Sequence, residues 1–496
     1  MSLTAERTTV VGSFAPATNR EAVEAAASVP ASAPAVEVRL DALSEPPALP
    51  ALRDAFSGKL LLATLRSARE GGAFAGGEEA RVSLLAEALR AGFDLVDVEL
   101  SSPGGRGLHG FPPDRCVASF HDPSGVPRDL AGIARELAAT GAAFRKLVVT
   151  AGSSADALAV LTLQRESTDG RLSAFAMGEP GIATRVLSPY LGAPIAFGSF
   201  VPGRATAPGQ LSVLDLSEVY GIGRRRPVDG LLALFGGLVS HSFSPALHNG
   251  WLESAGSALL YVPFALRSLV SELGPLASGL WDLGLPLSGA SVTIPFKEEA
   301  TLVALFGEGS VANTLLREGE AFRAANTDQP ALRGLLPAAS PGAAALVLGA
   351  GGTARNAVEA LLFRGYEVDV LARNPERAAE LAAEAGARAV AAPRAAGAYA
   401  VVVNATPLGL RPGDALPLPD GFLSEGLLVV DAPYRPGGTE LVRRARLRGA
   451  STVDGFALLA AQAALQATLF TNRPCSARDL VERLPARLRR DFEVTT

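Results

Sequence analysis

The stretch ALVLGAGGTARNAVEALLFRG, residues 345–365, joins a short apolar run, a glycine cluster and a helical segment in direct succession. The apolar run predicts a buried strand, and the glycines predict a tight turn from which a helix begins. Backbone N–H groups and the dipole at the start of such a helix can hold a pyrophosphate. The sequence therefore predicts a dinucleotide-binding fold. The residues expected at the cofactor are Gly349, Ala350, Gly351, Gly352, Thr353 and Ala354.

The next predicted strand, EVDVLA, ends at Arg373, about 20 residues beyond the glycines, where an NAD enzyme has an acid that binds the ribose. An arginine there, supported by Arg377, suits the 2′-phosphate of NADP, because a guanidinium pairs well with phosphate. The alternative is that both are ordinary exposed arginines at the start of a helix. The interpretation that we carry forward is NADP(H) as the cofactor.

Upstream of this fold, polar side chains stand in segments that a folding core would not select. Lys297 lies in SVTIPFKEEA and Asp328 lies in AANTDQP. A lone lysine in such a loop is normally solvated. Across a cleft, however, the two side chains can meet as a cation and a carboxylate positioned for proton transfer.

The chain before residue 220 repeats one pattern, a short β-rich run followed by a loop and an Ala/Leu-rich helical stretch. Eight such units in about 210 residues match the lower size limit of a (β/α)8 barrel, although the helix after the fourth run is weak. The fold class predicted for this half is therefore a TIM barrel. The runs begin near Thr8, Ala35, Lys59, Leu95, Asp114, Phe144, Leu172 and Pro194.

The segment GIGRRRPVDG has the glycine, proline and charge content of a domain boundary. With 496 residues, the chain is also too long for a single ordinary core. The predicted α/β organisation is a barrel, a linker, a substrate-binding domain, a Rossmann NADP-binding domain and C-terminal helices that return to the substrate domain. The predicted limits are 1–220, 221–230, 231–335, 336–455 and 456–496.

Composition argues against several classes of function. A net charge of −5 gives no basic surface for nucleic acid, and the basic run 224–226 is interpreted as part of the linker. The sequence opens without the apolar core of a signal peptide, and its longest apolar stretches fall short of a membrane span, so we expect a cytoplasmic protein. Two cysteines and four histidines favour neither a disulfide framework nor a metal site. The expected partners are small-molecule substrates, and a homodimer is left open.

The barrel runs place charged residues where they must point inward. In VEVRLD, alternation sends Glu37, Arg39 and Asp41 to one face, and Asp97 and Glu99 repeat the pattern on the fourth run. The alternative interpretation is a structural ion pair inside the barrel. Active sites of barrels, however, draw on the ends of several strands in this way.

Three further polar residues, Arg66, His121 and Lys146, lie on or just beyond the third, fifth and sixth runs. Flanked by Arg145 and followed by LVVTA, Lys146 should be desolvated and close to other cations, which lowers its pKa and makes it a nucleophile toward a ketone. A lone lysine in a strand is more often an edge residue. We expect His121 to act as a general base and Glu70 to fix its tautomer.

Eight ordered motifs in this half together resemble the type I 3-dehydroquinate dehydratase family: VEVRLD, LRSAREGG, DVEL, SFHD, RKLVV, MGEPGIATRV, FGSF and TAPGQLSV. The resemblance implies that Lys146 forms an imine with the substrate ketone, while His121, oriented by Glu70, removes a proton from C2 and returns one to the departing hydroxyl. It also implies that Arg185 clamps the substrate carboxylate, and that Thr206 replaces the usual serine. The residues implied to bind substrate are Glu37, Arg39, Arg66, Arg185, Thr206 and Gln210.

The C-terminal half resembles shikimate dehydrogenase over nearly its whole length, through SHSFSP, SVTIPFKEEA, VANTLL, AANTDQP, NATPLG, DAPYRP and DGFALLAAQAALQ. The resemblance implies that hydride from NADPH reaches the C3 ketone of 3-dehydroshikimate, while Lys297, held by Asp328, supplies or relays the proton. The residues implied to line the shikimate pocket are Ser242, Ser244, Thr293, Asn313, Asp328, Tyr434 and Gln462. Those implied near the cofactor, besides the glycine turn, are Asn404, Ala405, Thr406 and Gly455.

One position departs from the dehydrogenase pattern. The family commonly reads NTDG, whereas Gln329 follows Asp328 in this chain. Because glutamine could narrow a turn that normally needs glycine, the placement of Asp328 is left open.

Since the product of the first reaction is the substrate of the second, the expected function is a bifunctional shikimate-pathway enzyme that converts 3-dehydroquinate to shikimate. Two alternatives stay open: an aldolase-like barrel fused to a quinate dehydrogenase that uses NAD, and a non-catalytic metabolite sensor with the same folds. The sensor has no need to keep Lys146 and Lys297 in costly environments, and this argues against it.

Overall fold

The computed structural model describes residues 8–101, 105–224, 227–307 and 310–493. The chain divides into two compact units. The first consists of residues 1–245 and 258–287, and the second of residues 246–257 and 288–496. The basic run 224–226 lies partly outside the described residues, and the predicted domain limits stay predictions.

Eight parallel strands in the first unit confirm the predicted barrel, since each predicted run contains one of them. They are β1 Thr9–Phe14, β2 Ala35–Arg39, β3 Leu60–Thr64, β4 Leu95–Glu99, β5 Cys116–Asp122, β6 Phe144–Thr150, β7 Leu172–Met177 and β8 Ile195–Ser199. Their order is β7-β6-β5-β4-β3-β2-β1-β8, which is the order of neighbours in a (β/α)8 barrel. The two end strands are joined by a hydrogen bond of 3.1 Å from the Ile195 backbone N–H to Ser173 Oγ.

The described part of the barrel contains six α-helices: α1 Asn19–Ala25, α2 Leu49–Ala55, α3 Glu78–Arg90, α4 Leu130–Ala139, α5 Ser154–Glu166 and α6 Ile182–Tyr190. Between β4 and β5 the described residues form only the short 3-10 segments Gly105–Gly110 and Pro113–Arg115, so the expectation of a weak helix there is confirmed.

Apolar side chains from all eight strands fill part of the barrel interior, as the alternation of each strand predicts. This layer makes the barrel a packed core rather than a pore. Its buried members are Val11, Ala35, Leu62, Leu95, Val117, Phe144, Val148, Phe175, Ile195 and Phe197.

The described residues between the barrel and residue 335 form further strands and helices. They are β9 Gly230–Gly236, α7 Ser244–Ser254, β10 Leu259–Ala265, α8 Leu269–Asp282, β11 Leu287–Val292, α9 Glu299–Leu302, β12 Thr314–Glu318, β13 Ala321–Ala325 and α10 Asp328–Leu335. In the first unit β9 pairs with β10 in parallel. In the second unit β11, β12 and β13 form an antiparallel ladder.

A six-stranded parallel sheet follows in the second unit. Its elements are β14 Ala344–Leu348, α11 Gly352–Phe363, β15 Glu367–Leu371, α12 Pro375–Ala385, β16 Arg388–Ala389, β17 Val401–Asn404, β18 Leu428–Asp431, α13 Glu440–Leu447 and β19 Ser451–Val453. The strand order, β16-β15-β14-β17-β18-β19, is that of a dinucleotide-binding sheet with its switch point between β14 and β17. The predicted Rossmann fold is therefore confirmed.

After β19, the described residues up to 493 form three helices, α14 Gly455–Thr471, α15 Ala477–Glu482 and α16 Ala486–Glu493. None of the helices within the described ranges has the length and apolar character that a membrane crossing needs.

Leu361 offers a test of the packing on the dinucleotide sheet, because it is fully buried on α11 among apolar residues of β14 and β15. We expect Leu361→Ala to lower the free energy of unfolding by about 2–5 kcal/mol, through lost burial and the cavity that remains. The urea dependence of amide hydrogen exchange in α11 measures this change. The matched control is Leu447→Ala, at an exposed position on α13, and equal effects of both variants would contradict the packing described here.

Candidate active sites

The Lys146 amine lies inside the barrel, where only 7% of the side chain is exposed. Its Nζ donates to Glu37 Oε1 on β2 at 3.0 Å and lies 3.9 Å from the centre of the Phe197 ring on β8. Glu37 also accepts hydrogen bonds from Ser13 Oγ at 2.5 Å and Thr64 Oγ1 at 3.1 Å. Five strands therefore converge on one carboxylate and the amine beside it.

Burial lowers the pKa of Lys146 below its ordinary value, and Arg66 acts in the same direction, while Glu37 opposes both. The pKa of Glu37 falls to about 2 although burial alone would raise it, because Lys146 and Ser13 stabilise the carboxylate. The expectation that Arg145 is one of the cations around the amine is wrong. Arg145 alternates to the other face of β6 and pairs with Asp169.

The His121 ring lies against Glu70, with 3.0 Å between Nδ1 and Oε2. Burial lowers the pKa of His121 well below its ordinary value, and the nearby cations Arg66 and Lys146 lower it further. The imidazole is therefore neutral near pH 7, as a general base must be. Burial raises the pKa of Glu70 to about 7, although Arg66 lowers it. An ionised Glu70 accepts a hydrogen bond from Nδ1–H, which fixes the tautomer that leaves Nε2 as the basic nitrogen.

Arg66 is held by three carboxylates rather than left open toward the cavity. Its guanidinium donates to Glu70 at 3.0 Å, Asp97 at 2.9 Å and Glu99 at 3.1 Å. Arg81 also pairs with Glu99, at 2.7 Å. Arg66, Asp97 and Glu99 thus form structural ion pairs inside the barrel, which is the alternative interpretation of the inward charges. The role of Arg66 as a substrate ligand stays a prediction.

A cavity of about 250 Å³ brings together the nine residues that the sequence placed in the barrel site. Arg185 lies in it with its Nε buried and without a hydrogen-bond partner in the described part of the chain, which suits an added anion. Sequence reasoning missed Ser13 and Phe197, although inward alternation along β1 and β8 would have indicated both. The nine are Glu37, Arg39, Arg66, Glu70, His121, Lys146, Arg185, Thr206 and Gln210.

Two of these cavity residues are fixed by local hydrogen bonds. Arg39 donates through Nε and Nη2 to both oxygens of Asp41, each at 2.8 Å. Gln210 Oε1 accepts from the Thr206 backbone N–H at 2.6 Å. Both are therefore positioned before any ligand arrives.

In the second unit, Lys297 Nζ donates to Asp328 Oδ2 at 2.6 Å, as the sequence predicts. The two side chains are 19% and 17% exposed, so the pair is partly desolvated but reachable. Asn313 Nδ2 donates to Asp328 Oδ1 at 2.9 Å and to Gln462 Oε1 at 3.3 Å. The structure thus assembles four of the predicted dehydrogenase residues into one hydrogen-bonded cluster.

The structure also shows the surroundings of other residues that are predicted to line the shikimate pocket. Thr293 follows β11, and the Tyr434 ring packs on Phe456 with 5.3 Å between ring centres. In the first unit, the Ser244 backbone N–H donates to Ser242 Oγ at 3.2 Å. Their roles stay predictions.

Gln329 does not disturb the carboxylate beside it. It lies in the first turn of α10, where the backbone is α-helical and no positive φ is required. The Asp328 backbone N–H donates to Asn326 Oδ1 at 3.0 Å and fixes the start of that helix. The concern that glycine is needed at position 329 is therefore resolved by the local structure.

The glycine turn has the geometry of a dinucleotide site. Gly349 has φ +115°, and a Cβ there would lie 3.0 Å from the Ala405 carbonyl oxygen. Gly351 precedes the first residue of α11, so the helix begins at the predicted point. The Gly455 backbone is similarly close to Pro433, whose carbonyl oxygen would lie 2.5 Å from an added Cβ. Gly349 and Gly455 permit the close backbone approach that the fold needs, whereas an added Cβ at Gly351 would have nothing within 4 Å.

Two further groups complete the predicted cofactor site. Arg373 and Arg377 are exposed, at the end of β15 and the start of α12. Asn404 is buried and shapes a turn, because it donates to Asp431 Oδ1 at 2.7 Å and accepts from Thr406 Oγ1 at 2.6 Å. Its amide is therefore engaged within the protein, and contact with a cofactor stays a prediction. Within the described ranges, no three His, Cys, Asp or Glu side chains group as metal ligands.

Fold and geometry together define a barrel with a buried reactive amine, followed by a dehydrogenase of the dinucleotide-binding class. Residues 13–226 match the family model for type I 3-dehydroquinase. Residues 234–327 match the model for the shikimate dehydrogenase substrate binding domain.

Whole-chain similarity identifies the family. A bifunctional 3-dehydroquinate dehydratase/shikimate dehydrogenase, chloroplastic, from Arabidopsis thaliana is 30% identical over 439 residues, which cover 82% of this chain and 72% of that protein. The chain therefore belongs to the family of bifunctional 3-dehydroquinate dehydratase/shikimate dehydrogenases, and both predicted resemblances are confirmed.

Two further proteins are similar to the C-terminal half. Shikimate dehydrogenase (NADP(+)) from Caulobacter vibrioides (strain NA1000 / CB15N) is 38% identical over 253 residues, or 47% of this chain and 87% of that protein. A crystal structure of shikimate 5-dehydrogenase from Thermus thermophilus, in complex with NADP(H) and shikimate, is 34% identical and covers 52% of this chain and 99% of that one, with a TM-score of 0.47.

The Lys146–Glu37 pair predicts the effect of a single charge removal. Because the Glu37 carboxylate raises the pKa of the amine, Glu37→Gln should lower the pKa of Lys146 further. Reductive methylation labels the free amine, so the pH of half-maximal labelling of the Lys146 peptide should move down. Asp169→Asn, which removes the partner of Arg145 on the other face of β6, should leave that midpoint unchanged. An unchanged or higher midpoint in Glu37→Gln would contradict the pairing.

Proposed function

We propose that the barrel dehydrates 3-dehydroquinate to 3-dehydroshikimate through an imine on Lys146. The observation that supports this most is the position of the buried amine, with its lowered pKa, in the same cavity as the neutral His121. Such an amine can attack the ketone carbon, and water leaves as the imine forms. The Arg185 guanidinium, with its Nε unpartnered in the described residues, is the proposed partner of the substrate carboxylate.

In the dehydration step, His121 Nε2 takes a proton from C2 of the imine. The electrons pass into the protonated imine, which acts as a sink, and the C1 hydroxyl leaves as water with a proton from His121. Hydrolysis of the imine then frees 3-dehydroshikimate and the Lys146 amine. Glu70, 3.0 Å from Nδ1, stabilises the imidazolium that exists between the two proton transfers.

For the second half, we propose reduction of 3-dehydroshikimate to shikimate with NADPH. When bound, NADPH supplies the hydride. Lys297 holds or delivers the proton that the new hydroxyl requires, and Asp328, 2.6 Å from its Nζ, orients the ammonium. The NADP(+) enzyme from Caulobacter and the exposed pair Arg373 and Arg377 support this cofactor. No metal takes part in the proposal.

The proposal keeps the predicted limits, 1–220 for the dehydratase, 221–230 for the linker, and 231–335, 336–455 and 456–496 for the dehydrogenase. It also keeps a cytoplasmic location, which cell fractionation tests. Oligomeric state, including a homodimer, is measured by light scattering after gel filtration.

The two proposed reactions should be separable by single substitutions. Lys146→Ala should abolish dehydration and keep NADPH-dependent reduction of 3-dehydroshikimate, whereas Lys297→Ala should do the reverse. The chain has only three lysines, so borohydride treatment with 3-dehydroquinate and peptide mass mapping give a clear answer. We expect one adduct, on Lys146.

The control for this mapping is Lys59→Ala. Lys59 donates to the Ala33 carbonyl oxygen at 2.8 Å and is not among the residues that line the cavity, so its removal should leave the adduct intact. An adduct on Lys59 or Lys297 in the unaltered chain would overturn the proposed chemistry.

Cofactor preference tests the role of Arg373. Arg373→Ala should raise KM for NADPH about tenfold or more, since a hydrogen bond to a charged group contributes about 1.5–3 kcal/mol. KM for NADH should stay unchanged, because NADH lacks the 2′-phosphate. Arg364→Ala, at the far end of α11, is the matched control. Equal effects on both cofactors, or wild-type preference for quinate with NAD, would contradict the proposal.

A further inference from the structure

Asn356 connects the helix of the glycine turn to the carboxylate beside Lys297. Its side chain is on α11, only 1% of the residue is exposed, and Nδ2 donates to Asp328 Oδ2 at 3.3 Å. Its Oδ1 accepts from Asn326 Nδ2 at 2.8 Å. Asn326 in turn accepts the Asp328 backbone N–H at 3.0 Å. Both polar atoms of this buried amide are therefore used at Asp328 or at the residue that fixes its helix.

The position of Asn356 along α11 links these contacts to the predicted pyrophosphate site. It lies four residues after Gly352, so the two residues share one face of the helix, one turn apart. The first turn of this helix is the predicted pyrophosphate site, and the second turn carries the amide that reaches Asp328. A shift of α11 therefore moves a hydrogen-bond donor of the carboxylate directly.

Asp328 has few other donors. Oδ1 accepts from Asn313 Nδ2, and Oδ2 accepts from Lys297 Nζ and from Asn356 Nδ2. Asn356 and Lys297 thus donate to the same carboxylate oxygen, Oδ2 of Asp328. The Asn356 donor comes from α11, the helix that follows the glycine turn. Without it, the carboxylate can rotate away from the geometry that orients the ammonium.

We propose that Asn356 is a positioning residue of the dehydrogenase reaction, which acts through Asp328 and sets the Lys297–Asp328 pair relative to the dinucleotide helix. This inference rests on the proposed function of that pair. Asn356 need not touch substrate or cofactor. Its loss should therefore lower kcat of reduction and leave the binding of NADPH unchanged.

The test uses the full chain and two variants. Asn356→Ala removes both hydrogen bonds, and the nearly isosteric Asn356→Asp keeps an acceptor for Asn326 but removes the donor to Asp328. We expect Asn356→Ala to lower kcat for reduction about tenfold, the range set by one lost hydrogen bond to a charged group. Asn356→Asp should lower it at least as much, because it also places a second carboxylate beside Asp328. The dissociation constant of NADPH, from fluorescence titration, should change less than about twofold, which is below the effect of one hydrogen bond. Because Asn356 lies in the second unit, the retained NADPH dissociation constant also reports that this unit is folded.

A double-mutant cycle with Asp328→Asn separates positioning from general packing. If Asn356 acts through Asp328, Asn356→Ala should have no further effect on kcat once Asp328 is replaced. The control Glu384→Gln removes the α12 partner of Arg355, the residue next to Asn356 on α11, and should leave kcat unchanged.

Additive losses in the cycle, an unchanged kcat in Asn356→Asp, or a loss confined to NADPH binding would each overturn the inference. Wild-type reduction by Asp328→Asn alone would instead overturn the proposed function of the pair. The two failures are therefore distinguishable.

Discussion

A charge inside a barrel persists only when protein groups replace the water that it has lost, and this constraint organises the N-terminal half. Glu37 accepts from Ser13, Thr64 and Lys146, which lie on three other strands. Strand register decides which side chains reach it. The pleat of the barrel therefore fixes both the ionisation of the carboxylate and the position of the amine.

The same constraint separates two groups of inward charges that look alike in sequence. Arg66 has three carboxylate partners, whereas Arg185 has an Nε without a partner in the described residues. Burial lowers the pKa of Arg185 to about 10, which indicates how little internal charge compensates it. An anion that enters the cavity therefore gains more from Arg185 than from Arg66, whose charge is already balanced.

Local sequence signals predicted the fold and most of the site, because they depend on residues close together in the chain. VEVRLD predicted both strand β2 and the inward direction of Glu37, and the glycine run predicted the start of α11. The error at Arg145 came from treating a sequence neighbour as a spatial one, although adjacent strand residues face opposite ways. Asn356 was missed because no motif marks it within the helical run after the glycines, and only the folded chain brings its amide to Asp328.

The small number of lysines compared with arginines gives an independent argument for the two sites. The chain has 42 arginines but three lysines, so a permanent positive charge is supplied almost entirely by arginine. A guanidinium does not lose its proton in proteins, whereas an ammonium can. Lys59 donates to the backbone carbonyl oxygens of Ala33 and Pro30, a task that needs only a donor. Lys146 and Lys297 are each paired with a carboxylate, the first in the barrel cavity and the second in a partly desolvated ion pair. At both positions the proposed reactions need an amine that can release its proton, and arginine cannot provide one.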